Sequence, residues 1–183
     1  MNLEYFKSMP TPPRMNGLGF IWIMESKKIR WNFYHPELTP VVVNQFHNHR
    51  DSFVSKIIKG TLCNQRALIM HPGNMILRSI SCVGKESKSK GGEGITDTQE
   101  NVGLDIKTVE TYYERESYQI NAEEFHIAFP LSPTITKMTM TGIQEEIPGL
   151  GVYKKEDQML CPIADFHAEE SVCWEIIETI LND

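Results

Sequence analysis

Apolar and polar positions alternate in short runs along most of this chain. Ile29, Trp31 and Phe33 alternate with Arg30, Asn32 and Tyr34, the period-two pattern of a strand with one buried face. With Gly19 to Met24 before it and the charged turn Glu25-Ser-Lys-Lys28 between them, it predicts a hairpin. His35-Pro36 and Thr39-Pro40 end that strand, because proline removes a ladder donor and restricts the residue before it. Val41 to His49, Phe53 to Lys59 and Leu62 to Met70 are the next extended candidates, with Met75 to Cys82 after a turn at His71-Pro72-Gly73-Asn74. Leu104 to Tyr113, Ser117 to Asn121, Phe125 to Phe129 and Thr134 to Thr141 complete the series. Roughly ten short strands at such spacing predict a mainly β sandwich or barrel, and the lack of βαβ alternation argues against a doubly wound sheet.

Two segments break the pattern. From Gly84 to Gly103 glycine, serine, lysine and acidic residues dominate, with Ile95 and Val102 as the branched anchors. Such a stretch buries too little apolar area to offset its ordering entropy, which predicts a mobile loop, disordered or acting as a lid over a binding mouth. From Ala168 to Leu181 the period changes to that of a helix: Val172, Cys173, Ile176, Ile177 and Ile180 share one face, with Glu175, Glu178 and Thr179 opposite. Asp165 is placed to cap it, and Glu169 and Glu170 suit the positive end of the helix dipole. Its apolar stripe predicts packing against the outside of the β domain; Trp174, off that stripe, is a possible dimer anchor. The expected organisation is therefore an N-terminal proline-rich arm over 1–18, a β domain over 19–165 containing the 84–103 loop, and a C-terminal helical segment over 166–183.

A chain of 183 residues with 40% hydrophobic content suits one domain with a single core. The net charge of −6, with both signs interspersed and no basic stripe, argues against a nucleic-acid partner. No apolar run is long enough to span a bilayer, and the first ten residues have no signal core. Cys63, Cys82, Cys161 and Cys173 form no Cys-x-x-Cys pair and read as buried thiols of a cytoplasmic protein.

The candidate chemistry lies in three histidines. His47 and His49 form a His-x-His pair, which on an extended segment directs both imidazoles to one side. His126, in Phe125 to Phe129, can approach from a neighbouring strand. Three imidazoles leave positions open on a metal, as a catalytic site needs and a structural one does not. Asp51 would share their face if the strand continues regularly, orienting an imidazole or binding the ion weakly; its other role is to cap a turn. His35, His71 and His167 lack such placement.

His47-Asn-His49-Arg-Asp-Ser-Phe-Val-Ser-Lys-Ile-Ile-Lys-Gly60 resembles the first motif of the cupins, and Ile120-Asn-Ala-Glu-Glu-Phe-His126 their second. Counted back from Gly60, the glutamate ligand of that family falls on Phe53, while Asn121 and Glu123 replace the proline and glycine of the second motif. A cupin with three histidines and no acidic ligand looks most like the thiol dioxygenases, of which cysteine dioxygenase is one. Some of these carry a cysteine cross-linked to tyrosine where Val54 stands here. The resemblance implies a single jelly-roll-like β-barrel with the C-terminal helix outside, and a metal held by His47, His49 and His126. It also implies a dimer by analogy.

By that resemblance the metal is Fe(II), with zinc or nickel possible in recombinant protein because both outrank it in affinity. Three neutral ligands leave the full divalent charge in place and favour a small anionic substrate, such as a thiol carboxylate or an enediolate. Arg30, Arg50, Arg66 and Arg78 are candidates for its anchor by residue type alone. One alternative is a cupin sugar isomerase or epimerase with a histidine base and Tyr112, Tyr113 or Tyr118 as acid. Another is a non-catalytic cupin that only binds a small molecule.

Overall fold

The computed structural model describes residues 1–38, 46–49, 51–80, 95–143, 149–156 and 168–183. The expected strand residues 41–45, Arg50, Cys82, Cys161, Asp165, His167 and residues 84–94 of the expected loop lie outside them.

Among the described residues ten strands and two helices follow one another: α1 (Leu3–Lys7), β1 (Arg14–Asn16), β2 (Phe20–Met24), β3 (Ile29–Tyr34), β4 (Asp51–Lys59), β5 (Leu62–Ile80), β6 (Ile95–Tyr112), β7 (Ser117–Ile120), β8 (Phe125–Pro130), β9 (Thr134–Ile143), β10 (Gly149–Tyr153) and α2 (Glu170–Asn182). The mainly β expectation holds, but the closed barrel does not. The strands form a six-stranded sheet in the order β1-β2-β3-β9-β4-β7 and a second sheet built on β5. All their pairings are antiparallel, and β6 lies along one edge of β5 while β8 and β10 share the other. Closure needs the outermost strands to pair with each other, and the first sheet instead ends on three-residue β1 and four-residue β7.

Two layers of apolar packing lie on the two faces of the six-stranded sheet. Phe20, Tyr34, Phe53, Ile57, Tyr118, Ile120 and Met138 meet Leu62 of β5 in a core shared by the sheets. On the opposite face Ile21, Ile23, Trp31, Phe33 and Ile135 pack against Phe6 of α1 and Cys173, Ile177 and Ile180 of α2. Each such fully buried side chain contributes about 1.5–3 kcal/mol by leaving water. Both faces of β3 are therefore inside. Asn32 is 2% exposed and Tyr34 8%, although alternation alone puts them in solvent.

Residues 1–18, expected as a proline-rich arm, contain α1 and β1. Asn2 caps α1 by accepting from Tyr5 N at 3.0 Å, and β1 joins the sheet beside β2. Phe6 stands edge-on to Trp31 and Phe33, at centroid distances of 5.2 and 4.9 Å. The C-terminal helix forms two residues later than Ala168, with Glu169 at its N-cap making no side-chain cap bond. Val172, expected on its buried stripe, is exposed, while Lys59 Nζ donates to Leu181 O at 2.9 Å and caps its far end. Trp174 packs partly against the cluster and donates to Glu170 at 3.0 Å.

Two strand expectations change. The turn at 71–74 does not reverse the chain, because Met70 pairs with Gly103 and Met75 with Val102. Four residues bulge opposite a single step, and β5 then continues between β6 and β10. Gly73 sits so close to Val102 and Gly103 that an added Cβ would overlap their backbone. The loop expected to reach Gly103 gives way to β6 at Ile95, since pairing with β5 supplies the backbone bonds its weak apolar content could not. By contrast, the turn at Gly60 between β4 and β5 forms as expected, with φ +83°. No helix among the described residues is long and apolar enough to cross a membrane.

Candidate metal centre

Residues 46–49 carry the His-x-His pair across from the second sheet into β4 of the first. Their backbone is extended but is held by single bridges rather than by a regular ladder. His47 exchanges both backbone bonds with His126, each at 3.0 Å, and is bridged to Gly151 on its other side. His49 N donates to Ala122 O at 3.0 Å, and Val152 N to Phe46 O at 2.9 Å. Between the histidines, buried Asn48 accepts from Leu150 N through its Oδ1 at 2.6 Å and donates its own N to Leu150 O at 3.1 Å. The segment is thus pinned between β8 and β10, which sit on the same edge of β5.

That pinning brings the three imidazoles together. Their ring centroids lie 4.9, 5.2 and 5.1 Å apart for the pairs 47–49, 47–126 and 49–126. One nitrogen from each falls within 4.8 Å of the other two. His49 Nε2 and His126 Nε2 are 2.9 Å apart. Two nitrogens bound at right angles with bonds of roughly 2.1 Å would lie about 3.0 Å apart, so this spacing fits neighbouring positions on one ion. The donor set is also that of an iron, zinc, nickel or copper site rather than of calcium or magnesium.

Burial, then the neighbouring His47 and His126, then the Arg30 guanidinium hold His49 well below the ordinary histidine range. Burial, His47 and Arg66 do the same for His126, which is 4% exposed. Both rings are therefore neutral near pH 7, the form that offers a lone pair to a cation. His126 Nδ1 is 2.8 Å from Oδ1 of Asn64, a fully buried side chain of β5.

Phe53 occupies the place that the motif comparison assigns to an acidic ligand. It is 3% exposed, with its ring edge-on to His49 at 4.9 Å and tilted 5.9 Å from His126. Among the described residues the group of possible ligands contains no carboxylate: Asp51 opens β4 opposite Ile143 and is not a member. His71 is exposed in the bulge, and His35 lies 3.6 Å from Asp183 beside the C-terminus.

Arg30 is the candidate cation whose field reaches His49. It projects from the polar face of β3 into the space shared by the sheets, with Nη2 3.4 Å from Met138 Sδ and its guanidinium 5.7 Å from the Phe20 ring centroid. Among the described residues no carboxylate pairs with it, and its buried Nε has no hydrogen-bond partner. Burial pulls its pKa down, and Tyr34 and Tyr118 pull it back. Arg66 is engaged by Glu124 at 2.7 Å and by Gln119 O at 3.0 Å; buried Arg78 lies 4.7 Å over Tyr153.

Tyr112 donates to Glu110 at 2.8 Å, Tyr113 is exposed, and Tyr118 is buried in the shared core, where burial raises its pKa and keeps it protonated. Cys63 and Cys173 are buried and free. Sequence reasoning missed Asn64 altogether. Its signal was an amide inside an otherwise strand-forming run, where asparagine is disfavoured unless a partner waits for it.

No family model matches the sequence. No curated protein matches it either. Among solved structures the chain is similar to a hydroquinone 1,2-dioxygenase in complex with Cd2+ and 4-hydroxybenzonitrile, at 11% identity and a TM-score of 0.35, covering 77% of this chain and 72% of that one. Likeness at that level transfers neither fold nor activity, and the chemistry of this chain is argued from its own residues.

Proposed function

We propose that this chain is a metal-dependent oxygenase of the cupin type, in which His47, His49 and His126 hold one Fe(II) and a small anionic substrate binds beside it. The observation that carries the reading is the convergence of three imidazoles, one nitrogen from each within 4.8 Å of the others. When bound, Fe(II) supplies open positions for substrate and O2 together and the redox chemistry that O2 activation requires.

The residues of the chain divide the remaining work. His47, His49 and His126 add no negative charge, so the centre keeps its attraction for a thiolate, carboxylate or enediolate. Phe53 puts an apolar ring where an acidic ligand would stand, edge-on to His49 and tilted against His126. Arg30, a half-buried cation with no carboxylate partner among the described residues, offers a second anchor for negative charge. Together these features favour a substrate with a chelating end and a carboxylate, such as a thiol carboxylate.

Metal analysis of untagged protein, followed by O2 uptake with a panel of thiol carboxylates and diketones, tests the proposal. The expected result is about one iron per chain, lost in the variant carrying both His47→Ala and His126→Ala, with O2 consumption by at least one anionic compound. Metal retained by that variant would overturn the site. Metal bound by the wild type with no O2 uptake across the panel would replace the oxygenase by a metal-dependent binding module.

A further inference from the structure

We propose that Asn64 is the positioning residue that fixes His126 in the tautomer a metal ligand requires, an inference that rests on the metal-centre reading above. Asn64 is 0% exposed and sits in mid-β5, opposite Ala128 of β8 and Glu110 of β6. Its Oδ1 lies 2.8 Å from His126 Nδ1. A carbonyl oxygen only accepts, so the proton of the neutral ring is on Nδ1 and the Nε2 lone pair is free. Nε2 is the atom that faces His49, 2.9 Å away.

The order of donors and acceptors then follows along the whole relay. His126 Nδ1–H donates to Asn64 Oδ1, and His126 Nε2 accepts from His49 Nε2–H. Turning the Asn64 amide over would present a donor to Nδ1, drive the His126 proton to Nε2 and remove that lone pair from the ion. The backbone of His126 is fixed by its two bonds to His47, which leaves tautomer and ring orientation as the variables a side chain can set.

Packing does not explain why an amide stands here. Asn64 Nδ2 is buried without a hydrogen-bond partner, a cost to stability that leucine, of similar size, would avoid. What leucine lacks is the acceptor. An amide also differs from the carboxylate often found behind a ligating histidine, because it orients the ring without adding negative charge. The centre therefore retains its full pull on an anionic substrate.

The test compares the wild type with Asn64→Leu and Asn64→Asp, using full-length metal-free protein. Nitrogen NMR of the His126 ring reads the tautomer directly, and titration with Co(II), followed by its visible absorption, reads the site. The expected wild-type signature is a protonated Nδ1 and a bare Nε2. Loss of the acceptor in Asn64→Leu should weaken Co(II) binding about 10- to 100-fold, while Asn64→Asp should stay within about threefold of the wild type. A proton on Nε2 in the wild type, wild-type affinity in Asn64→Leu, or equal losses in both variants would overturn the assignment while leaving the centre in place. Failure of the wild type to bind Co(II) is a distinct result, which overturns the metal centre and with it any positioning role.

Discussion

His49 Nε2 lies 2.9 Å from His126 Nε2, so one proton is shared between the two nitrogens that face each other at the centre of the site. With the His126 proton on Nδ1, as proposed for the contact with Asn64, the shared one belongs to His49. Before His49 can bind an ion through Nε2, that proton must move to Nδ1 or leave the ring. His49→Ala and His126→Ala should each lower divalent-ion affinity by more than the roughly 100-fold that loss of an outer partner costs. In His126→Ala, buried Asn64 also loses its partner, a further cost of about 1–3 kcal/mol in stability. Co(II) titration and urea unfolding measure the two effects separately; unchanged affinity in either variant would remove that residue from the ligand set.

The same two rings make the metal-free protein sensitive to acid. Their folded-state pKa values lie well below 6.5, so below about pH 6.5 the unfolded chain takes up protons that the folded chain does not. Stability is therefore highest above that pH and falls as pH drops towards the folded-state values, by up to about 1.4 kcal/mol per pH unit for each histidine. Urea midpoints at neutral and mildly acidic pH should show this slope, and His126→Gln should reduce it. A flat profile in the metal-free wild type would mean that the rings are less desolvated than their burial indicates.

Phe53 touches both His49 and His126 and stands where an acidic ligand would, which makes Phe53→Glu informative in both directions. Without metal, the variant loses a buried aromatic ring, at about 3–5 kcal/mol, and buries an unpaired carboxylate as well. With Co(II) or Zn(II) the carboxylate gains a cation, so melting temperature should rise more on metal addition than in the wild type. Affinity for an anionic ligand should fall, because the new charge cancels part of the ion's. An equal metal-induced rise in both proteins would place residue 53 away from the ion.

These tests concentrate on residues whose roles were unequally legible in the sequence. Strands β4 and β7 follow from period-two alternation, because each buries alternate residues, while the hairpin β2–β3, β8 and β9 form where short apolar-rich runs predict them. His47, His49 and His126 were legible as a set because the pair spacing and the following Gly60 turn constrain where the chain can go. By contrast, α1 and β1 were hidden on either side of Pro10, Pro12 and Pro13, and β10 by its own Gly149 and Gly151, where tertiary hydrogen bonds outweigh weak local preference. The joining of 62–70 to 75–80 needed β6 and β10 on either side, and open sheets rather than a barrel needed the pairing of distant strands. Asn64 is defined only by its contact with a residue sixty-two positions away. Arg30 was assigned to a solvent face because alternation tells two faces apart but not that both are covered.

Arg30 gives the sharpest test of substrate class, because stability and binding should move in opposite directions when it is replaced. Its Nε is buried without a partner, no carboxylate among the described residues pairs with it, and its field reaches His49. A desolvated guanidinium in that position costs the folded chain free energy, so the near-isosteric apolar variant Arg30→Met should be as stable as the wild type or more stable, by about 1–4 kcal/mol. Its affinity for the ion should fall little or rise, since a repelling cation has gone. Affinity for a carboxylate-bearing ligand should drop by about 1.5–3 kcal/mol, roughly 10- to 150-fold, the contribution of a charge-assisted hydrogen bond. Arg30→Lys should recover only part of the loss, because an ammonium keeps the charge but not the planar two-pronged geometry. Melting temperature and calorimetric titration of the metal-loaded protein with a thiol carboxylate measure both sides. Destabilisation with unchanged ligand affinity would make Arg30 a packing residue, held by Phe20 and Met138, and would move the anion anchor elsewhere.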